Sequence, residues 1–170
     1  MSHFGPSGYD FKFSSPDSLT KPGLPAPRYW PLSPFLLRYA IAKTANALFA
    51  KELQRRLDAD GTPILSISLH PGGVGTEGAR AVFFSFVFPL VKMLMMSPDQ
   101  GCITQLWAAT AKEVRQHEET YKGQYLVPYG KVGKPLALVD DPQVGRDLWQ
   151  TTQTELNRVL KTNGLQCLLM

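Results

Sequence analysis

Tyr39 and Lys43 are four residues apart, the spacing that stacks two side chains one turn apart on the same face of a helix. An ammonium beside a phenol stabilises phenolate over phenol. It turns a group that otherwise titrates near about 10 into an acid usable close to neutral pH. The chemistry on offer is delivery of a proton to an oxygen atom, or its removal. The same spacing also describes a solvated lysine beside a half-buried tyrosine, so the pair alone assigns no activity.

A second stretch, His70-Pro71-Gly72-Gly73-Val74-Gly75-Thr76-Glu77-Gly78, is glycine-rich enough for its backbone to approach a ligand closely, and Thr76 adds a hydroxyl. Residues 73–78 satisfy G-x-G-x-x-G, a pattern that cradles a dinucleotide pyrophosphate when it joins a strand to a helix. The wider context fails. No second strand ending in a ribose-binding acid follows, and Asp99 sits in the first turn of a later helix. A turn lining a crevice at the end of a strand is the better reading. The last four residues, Cys167-Leu168-Leu169-Met170, fit the C-a-a-X prenylation pattern with Cys167 as acceptor. With only Arg158 and Lys161 upstream as a second anchoring signal, a chance cysteine in an apolar tail is the plainer interpretation.

These residues need elements to hold them. Pro34 to Leu57 reads as a helix with Ser33 as N-cap, an apolar face of Leu37, Ile41, Ala45, Leu48 and Leu53, and Gly61 as its stop. Ile64 to Leu69 reads as a strand, since Leu65, Ile67 and Leu69 alternate with serines before the Pro-Gly breaker. Val82 to Met96 is apolar but interrupted by Pro89 and Lys92, and is too short to span a bilayer; it suits a buried, lid-like or interfacial helix. Ser97-Pro98-Asp99-Gln100 opens a further helix, to about Val114, with a capping box. Gly123 to Pro128 reads as a second strand. Pro142 to Leu160 reads as a closing helix whose inner face carries Val144, Leu148, Thr152, Leu156 and Val159. The alternation predicts an α/β fold with a parallel sheet under helices, and two strands are too few to make such a sheet stand alone.

The 170 residues allow one ordinary domain, and the 44% hydrophobic, 19% charged composition excludes disorder, collagen and coiled coil. Seven of the 14 prolines precede residue 35, which marks 1–33 as a loop-like leader. The net charge of +4 comes from interleaved charges with no basic stripe, so nucleic acid is excluded as a partner. Cys102 and Cys167 have neither metal-ligand spacing nor a disulfide framework, and no signal peptide opens the chain. A reducing, cytoplasmic setting follows, with contact at a membrane surface as the alternative.

In order, Tyr39-x-x-x-Lys43 continuing Thr44-Ala45-Asn46-Ala47-Leu48-Phe49-Ala50-Lys51-Glu52-Leu53, then His70-Pro71-Gly72-Gly73-Val74-Gly75-Thr76, Pro98-Asp99-Gln100-Gly101 and Tyr121-Lys122-Gly123-Gln124-Tyr125, resemble the C-terminal half of short-chain dehydrogenases/reductases. The likeness covers about Arg38 to Leu160 and looks closest to the retinol-dehydrogenase-like branch, its fungal members in particular. It implies a partial Rossmann-type doubly wound parallel sheet at 34–161, lacking its N-terminal cofactor-binding half, with a leader at 1–33 and a tail at 162–170. It also implies an NADP- or NAD-dependent oxidoreductase acting on a carbonyl or alcohol of a lipophilic small molecule, in secondary metabolism. Tyr39 would be the acid/base and Lys43 its activator and a ligand of the nicotinamide ribose. Pro71, Gly72, Val74 and Thr76 would close over the nicotinamide, and the 82–96 segment would fall at the substrate lid. The family's Thr-Gly-x-x-x-Gly-x-Gly and Asn-Asn-Ala-Gly stretches are absent, which implies impaired cofactor binding by this chain alone. Its strand-end serine is assigned to no position: Met1-Ser2-His3 reads as the stretch after it, and Ser14-Ser15 would require Asp10 and Lys12 in a buried parallel strand. The alternatives are a non-catalytic truncated fragment, a subunit completed by another chain or by a second copy across a strand edge, and a prenylated membrane-surface protein.

Overall fold

A computed structural model describes residues 13–17, 34–75 and 92–166, with side chains of the first helix from residue 38 onward. The expected N-cap Ser33, the hydroxyl of Thr76, most of the 82–96 apolar segment and Cys167 lie outside the described residues. The chain divides into two compact units, Met1–Thr62 together with Pro135–Met170, and Pro63–Lys134.

In the first unit, helix α1 (Pro34–Ala59) starts on a proline, whose fixed φ suits the first helical position. It ends where the chain turns left-handed at Gly61, φ +65°. There the Thr62 N–H donates to Leu57 O at 2.9 Å and the Gly61 N–H to Asp58 O at 3.2 Å, closing the helix in a Schellman motif. A 3-10 turn (Ala137–Asp140) leads into the long C-terminal helix, Pro142–Thr162. That helix is capped by Asp141, whose carboxylate accepts the Gln143 N–H at 2.8 Å.

The core of this unit joins Ala47 and Leu48 of α1, Val139 of the 3-10 turn, Leu148 of the C-terminal helix, and Phe13. Phe13 comes from the proline-rich stretch and is only 2% exposed; its carbonyl accepts the buried Thr151 hydroxyl at 2.7 Å. A loop-like segment can therefore still supply an anchor. Beside this core, Phe49 stacks on Trp149 at 5.1 Å, and the Arg56 guanidinium lies 4.4 Å from the Trp149 ring centroid. Glu52 is buried against them and accepts hydrogen bonds from Arg55 Nε and Nη2, both 2.8 Å, and from Arg56 Nε at 2.9 Å. Gly145 of the C-terminal helix faces Glu52, and a Cβ there would make ordinary contact with the Glu52 Cβ at 3.5 Å. Lys51 pairs with Asp140 on the surface. The expected inner face of the closing helix holds at Leu148 but not further on, because Leu156 and Val159 are exposed and Trp149 and Thr151 are buried instead.

In the second unit, β1 (Ser68–Leu69) runs parallel to β2 (Tyr125–Val127), pairing Ser68 with Tyr125 and Leu69 with Leu126. β2 runs antiparallel to β3 (Lys131–Val132), so the sheet is partly parallel with order β1-β2-β3. β3 goes unforeseen because its two residues are exposed and have no alternation to read. β1 is shorter than Ile64 to Leu69, although the Gly123 N–H still reaches Ser66 O at 2.9 Å. Helix α2 (Pro98–Thr110) carries the expected capping box, with Ser97 Oγ accepting the Gln100 N–H and Gln100 Oε1 accepting the Ser97 N–H. The predicted run to Val114 is instead broken by extended Ala111, after which come α3 (Lys112–Gln116) and α4 (Glu118–Tyr121). The Pro142–Thr162 helix is α5. Leu126, with no measurable exposure, lies at the centre of this unit.

Truncating Phe13 to alanine removes the largest side chain of the cluster it shares with Ala47, Leu48, Val139 and Leu148 and is expected to cost about 3–5 kcal/mol, read as a lower denaturant midpoint with unchanged secondary structure. The Glu52 carboxyl is held below its ordinary range, chiefly by the Arg55 hydrogen bond, with burial opposing and the Arg55 charge and Arg56 adding to it. A depressed folded-state value contributes stability that is present above the unfolded carboxylate range and lost as pH falls through the folded one. Glu52→Gln should lose about 1–3 kcal/mol at neutral pH. It should also flatten the fall in stability below about pH 4 in urea titrations across pH.

Candidate active site

The buried side of α1 fixes its rotation. Thr44, Ala47 and Leu48 point inward, the Thr44 hydroxyl donating to Ala40 O at 2.9 Å, and this turns Tyr39 and Lys43 outward. Tyr39 is 36% exposed and Lys43 is exposed. The Lys43 ammonium stands over the Tyr39 ring, 5.4 Å from its centroid, where the negative face of the ring attracts a cation. The helix thus brings phenol and ammonium together within reach of a ligand. The arrangement can exchange a proton with an oxygen atom and present a positive charge beside it.

Pro71, Gly72 and Val74 belong to the other unit, at the C-terminal end of β1. Gly72 adopts φ +93°, and a Cβ there would fall 2.4 Å from Met96 Sδ and 3.2 Å from Pro128 Cγ, so only glycine fits. Further along, the Met96 N–H donates to Gly73 O at 2.8 Å and the Gly75 N–H donates to Met96 O at 3.0 Å, forming a parallel bridge between Val74 and Met96. Val74 in turn fills the space above Gly101 in the first turn of α2, where a Cβ would be 2.5 Å from Val74 Cγ2. Gly101 and Met96 are the supports that spacing did not single out. For Gly101 the signal was a glycine inside a helix start, which usually has a packing reason.

Tyr121 packs edge-to-face on Trp107 at 5.3 Å, and Trp107 also covers Gly130 in the β2–β3 turn. Burial first and the Glu113 carboxylate second push the Tyr121 phenol above its usual value, so it stays protonated and serves packing. Ser14 and Ser15 lie in a bend next to Phe13 and at no strand end. Among the described residues there is no cluster of histidine, cysteine and carboxylate side chains able to hold a metal, and no helix long and apolar enough to cross a membrane. Cys102 is exposed and donates to Asp99 O.

No protein-family model and no solved structure matches the chain. Curated relatives do. A short chain dehydrogenase/reductase named dpmpH from Macrophomina phaseolina is 46% identical over 122 residues, 72% of this chain and 60% of the relative. Its counterpart dpfgH from Gibberella zeae is 44% identical over 117 residues, 69% of this chain and 34% of the relative. The polyprenol dehydrogenase of Mus musculus is 37% identical over 116 residues, 65% of this chain and 32% of the relative. The chain therefore spans between about a third and three fifths of the length of these relatives. The family's fold is Rossmann-like, in keeping with the mixed α/β architecture and partly parallel sheet. On this sequence likeness, the chain belongs to the short-chain dehydrogenases/reductases.

Proposed function

We propose that this chain belongs to an NAD(P)-dependent oxidoreductase that interconverts a carbonyl and an alcohol on a lipophilic small molecule, with Tyr39 as acid/base and Lys43 as its electrostatic partner. The observation that carries the reading is the outward-facing phenol with an ammonium over its ring, on one rigid helix, in a chain of this family. A lipophilic substrate is supported by the relative whose name makes it a polyprenol dehydrogenase. A role in fungal-type secondary metabolism rests on family likeness.

Two separate features suit a nicotinamide cofactor by family resemblance. Lys43 in the first unit carries an exposed ammonium of the kind that binds ribose hydroxyls, and Pro71, Gly72 and Val74 in the second carry a loop backbone braced from behind by Met96 and Pro128. When bound, NADPH or NADH supplies a hydride to the carbonyl carbon. In that direction the Tyr39 hydroxyl gives its proton to the substrate oxygen, and in the reverse direction the phenolate takes it back. Lys43 presents its positive charge beside the Tyr39 ring on the same helix. Thr76 is assigned to the cofactor-binding loop by resemblance.

A second reading rests on β1. Ser66, Ser68 and His70 turn their backbone groups to the β2 side, so Leu65, Ile67 and Leu69 turn theirs to the other, where no described strand pairs. Such an uncharged apolar edge accepts a strand from another polypeptide or a second copy, which would make the chain a partner-completed subunit.

Titration of the chain with NADPH and NADH, followed by tyrosine and tryptophan fluorescence, is expected to show binding of one of them. No binding of either at about millimolar concentration would overturn independent catalysis and leave the partner-completed reading. Where turnover is measured, Tyr39→Phe should lower it by about 10²–10⁴-fold while leaving cofactor affinity within about twofold. Size exclusion and thermal unfolding address the strand edge: a cooperative monomer rules the second reading out, and association suppressed by Ile67→Lys supports it.

A further inference from the structure

We propose that His70 is the positioning residue of the Pro71–Gly75 loop, its imidazole acting as the acceptor that sets the left-handed turn at Gly72. This rests on the reading that the loop contacts the cofactor, and deepens it. The His70 backbone is anchored by the sheet, its N–H donating to Leu126 O at 2.8 Å. From that fixed root, His70 Nδ1 accepts the Gly72 N–H at 3.0 Å. An imidazole nitrogen accepts only where it carries no proton, so the bond selects the neutral tautomer protonated at Nε2.

The geometry is that of an Asx-turn. Nδ1 is the same number of bonds from Cα as the side-chain oxygen of asparagine, and it caps the amide two residues on as that oxygen does. The residue between, Pro71, has no N–H to compete. Beyond Gly72, the two backbone bonds to Met96 hold Gly73 and Gly75, so the loop is tied at its far end by Met96 and at its near end by His70. Remove the imidazole and the Gly72 N–H loses the partner that holds it at φ +93°. The far tie does not replace it, because it acts one residue later.

The test compares His70→Leu, which removes the acceptor, with His70→Asn, which restores one at the same reach. Nitrogen-15 NMR of the whole chain should show the His70 imidazole protonated at Nε2. Amide exchange at Gly72 should quicken by about tenfold in the leucine variant and return towards the original rate in the asparagine variant. In the nucleotide titration, His70→Leu should weaken NADPH binding several-fold and His70→Asn should restore it. Equal Gly72 exchange in the leucine variant and the original chain, or no rescue by asparagine in a folded protein, overturns the assignment. Unaltered Gly72 protection with lost NADPH binding in both variants overturns it too. Absence of NADPH binding in the unsubstituted chain overturns the cofactor reading instead, and the exchange comparison still decides the role of His70.

Discussion

The parallel pairing of β1 with β2 is the constraint on which the second unit depends. Parallel neighbours need a long crossover, and here residues 70–124 provide it, carrying the chain from the end of the sheet where β1 finishes back to the opposite end, where β2 begins. Both strands therefore finish on one side. The loop after β1 and the turn after β2 meet there, which is why Gly72 lies against Pro128 and has no room for a side chain. In open α/β sheets that end of the strands is where ligands bind. Position follows from strand direction, and residue type follows from the close approach.

In the first unit the corresponding constraint is the rotation of α1. Burial of Thr44, Ala47 and Leu48, continued by the Glu52 network and the Phe49–Trp149 stack, leaves one way for the helix to face. Tyr39 and Lys43 occupy the opposite side, and their separation is set by helical geometry alone. Glu52 would be costly to bury by itself. It is tolerated because three guanidinium hydrogen bonds satisfy it while the arginines keep contact with water. The functional pair thus inherits its orientation from a polar cluster three turns away.

Much of this was legible where local physics dominates. The stop at Gly61, the capping box at Ser97 and Gln100, the start of α5 at Pro142 and the two parallel strands all follow from single residues or short alternations. What escaped depends on tertiary context. β3 is two exposed residues held by a turn, the break at Ala111 has neither glycine nor proline to announce it, and Phe13 is buried by contacts with segments far along the chain. Leu156 and Val159 keep a helical period but are exposed among the described residues. Periodicity shows which face is apolar and says nothing of where the neighbour ends.

The glycine loop shows the same division within a few residues. The G-x-G-x-x-G match singles out Gly73, Gly75 and Gly78, of which the first two lie in the described residues. Neither is compelled to be glycine: a Cβ at Gly73 would meet nothing within 4 Å, and one at Gly75 would make ordinary contacts from 3.4 Å. Gly72 and Gly101, both outside that pattern, have no room for a side chain. A dinucleotide fingerprint needs its glycines for the tight turn, the pyrophosphate and the helix packing. Here the spatial demand at Gly72 comes instead from Met96 and Pro128, and that at Gly101 from Val74 of the loop itself. The spacing pattern therefore does not pick out the glycines that are sterically required here, because it records ligand contacts, whereas steric necessity is set by the neighbours this fold brings up against the loop.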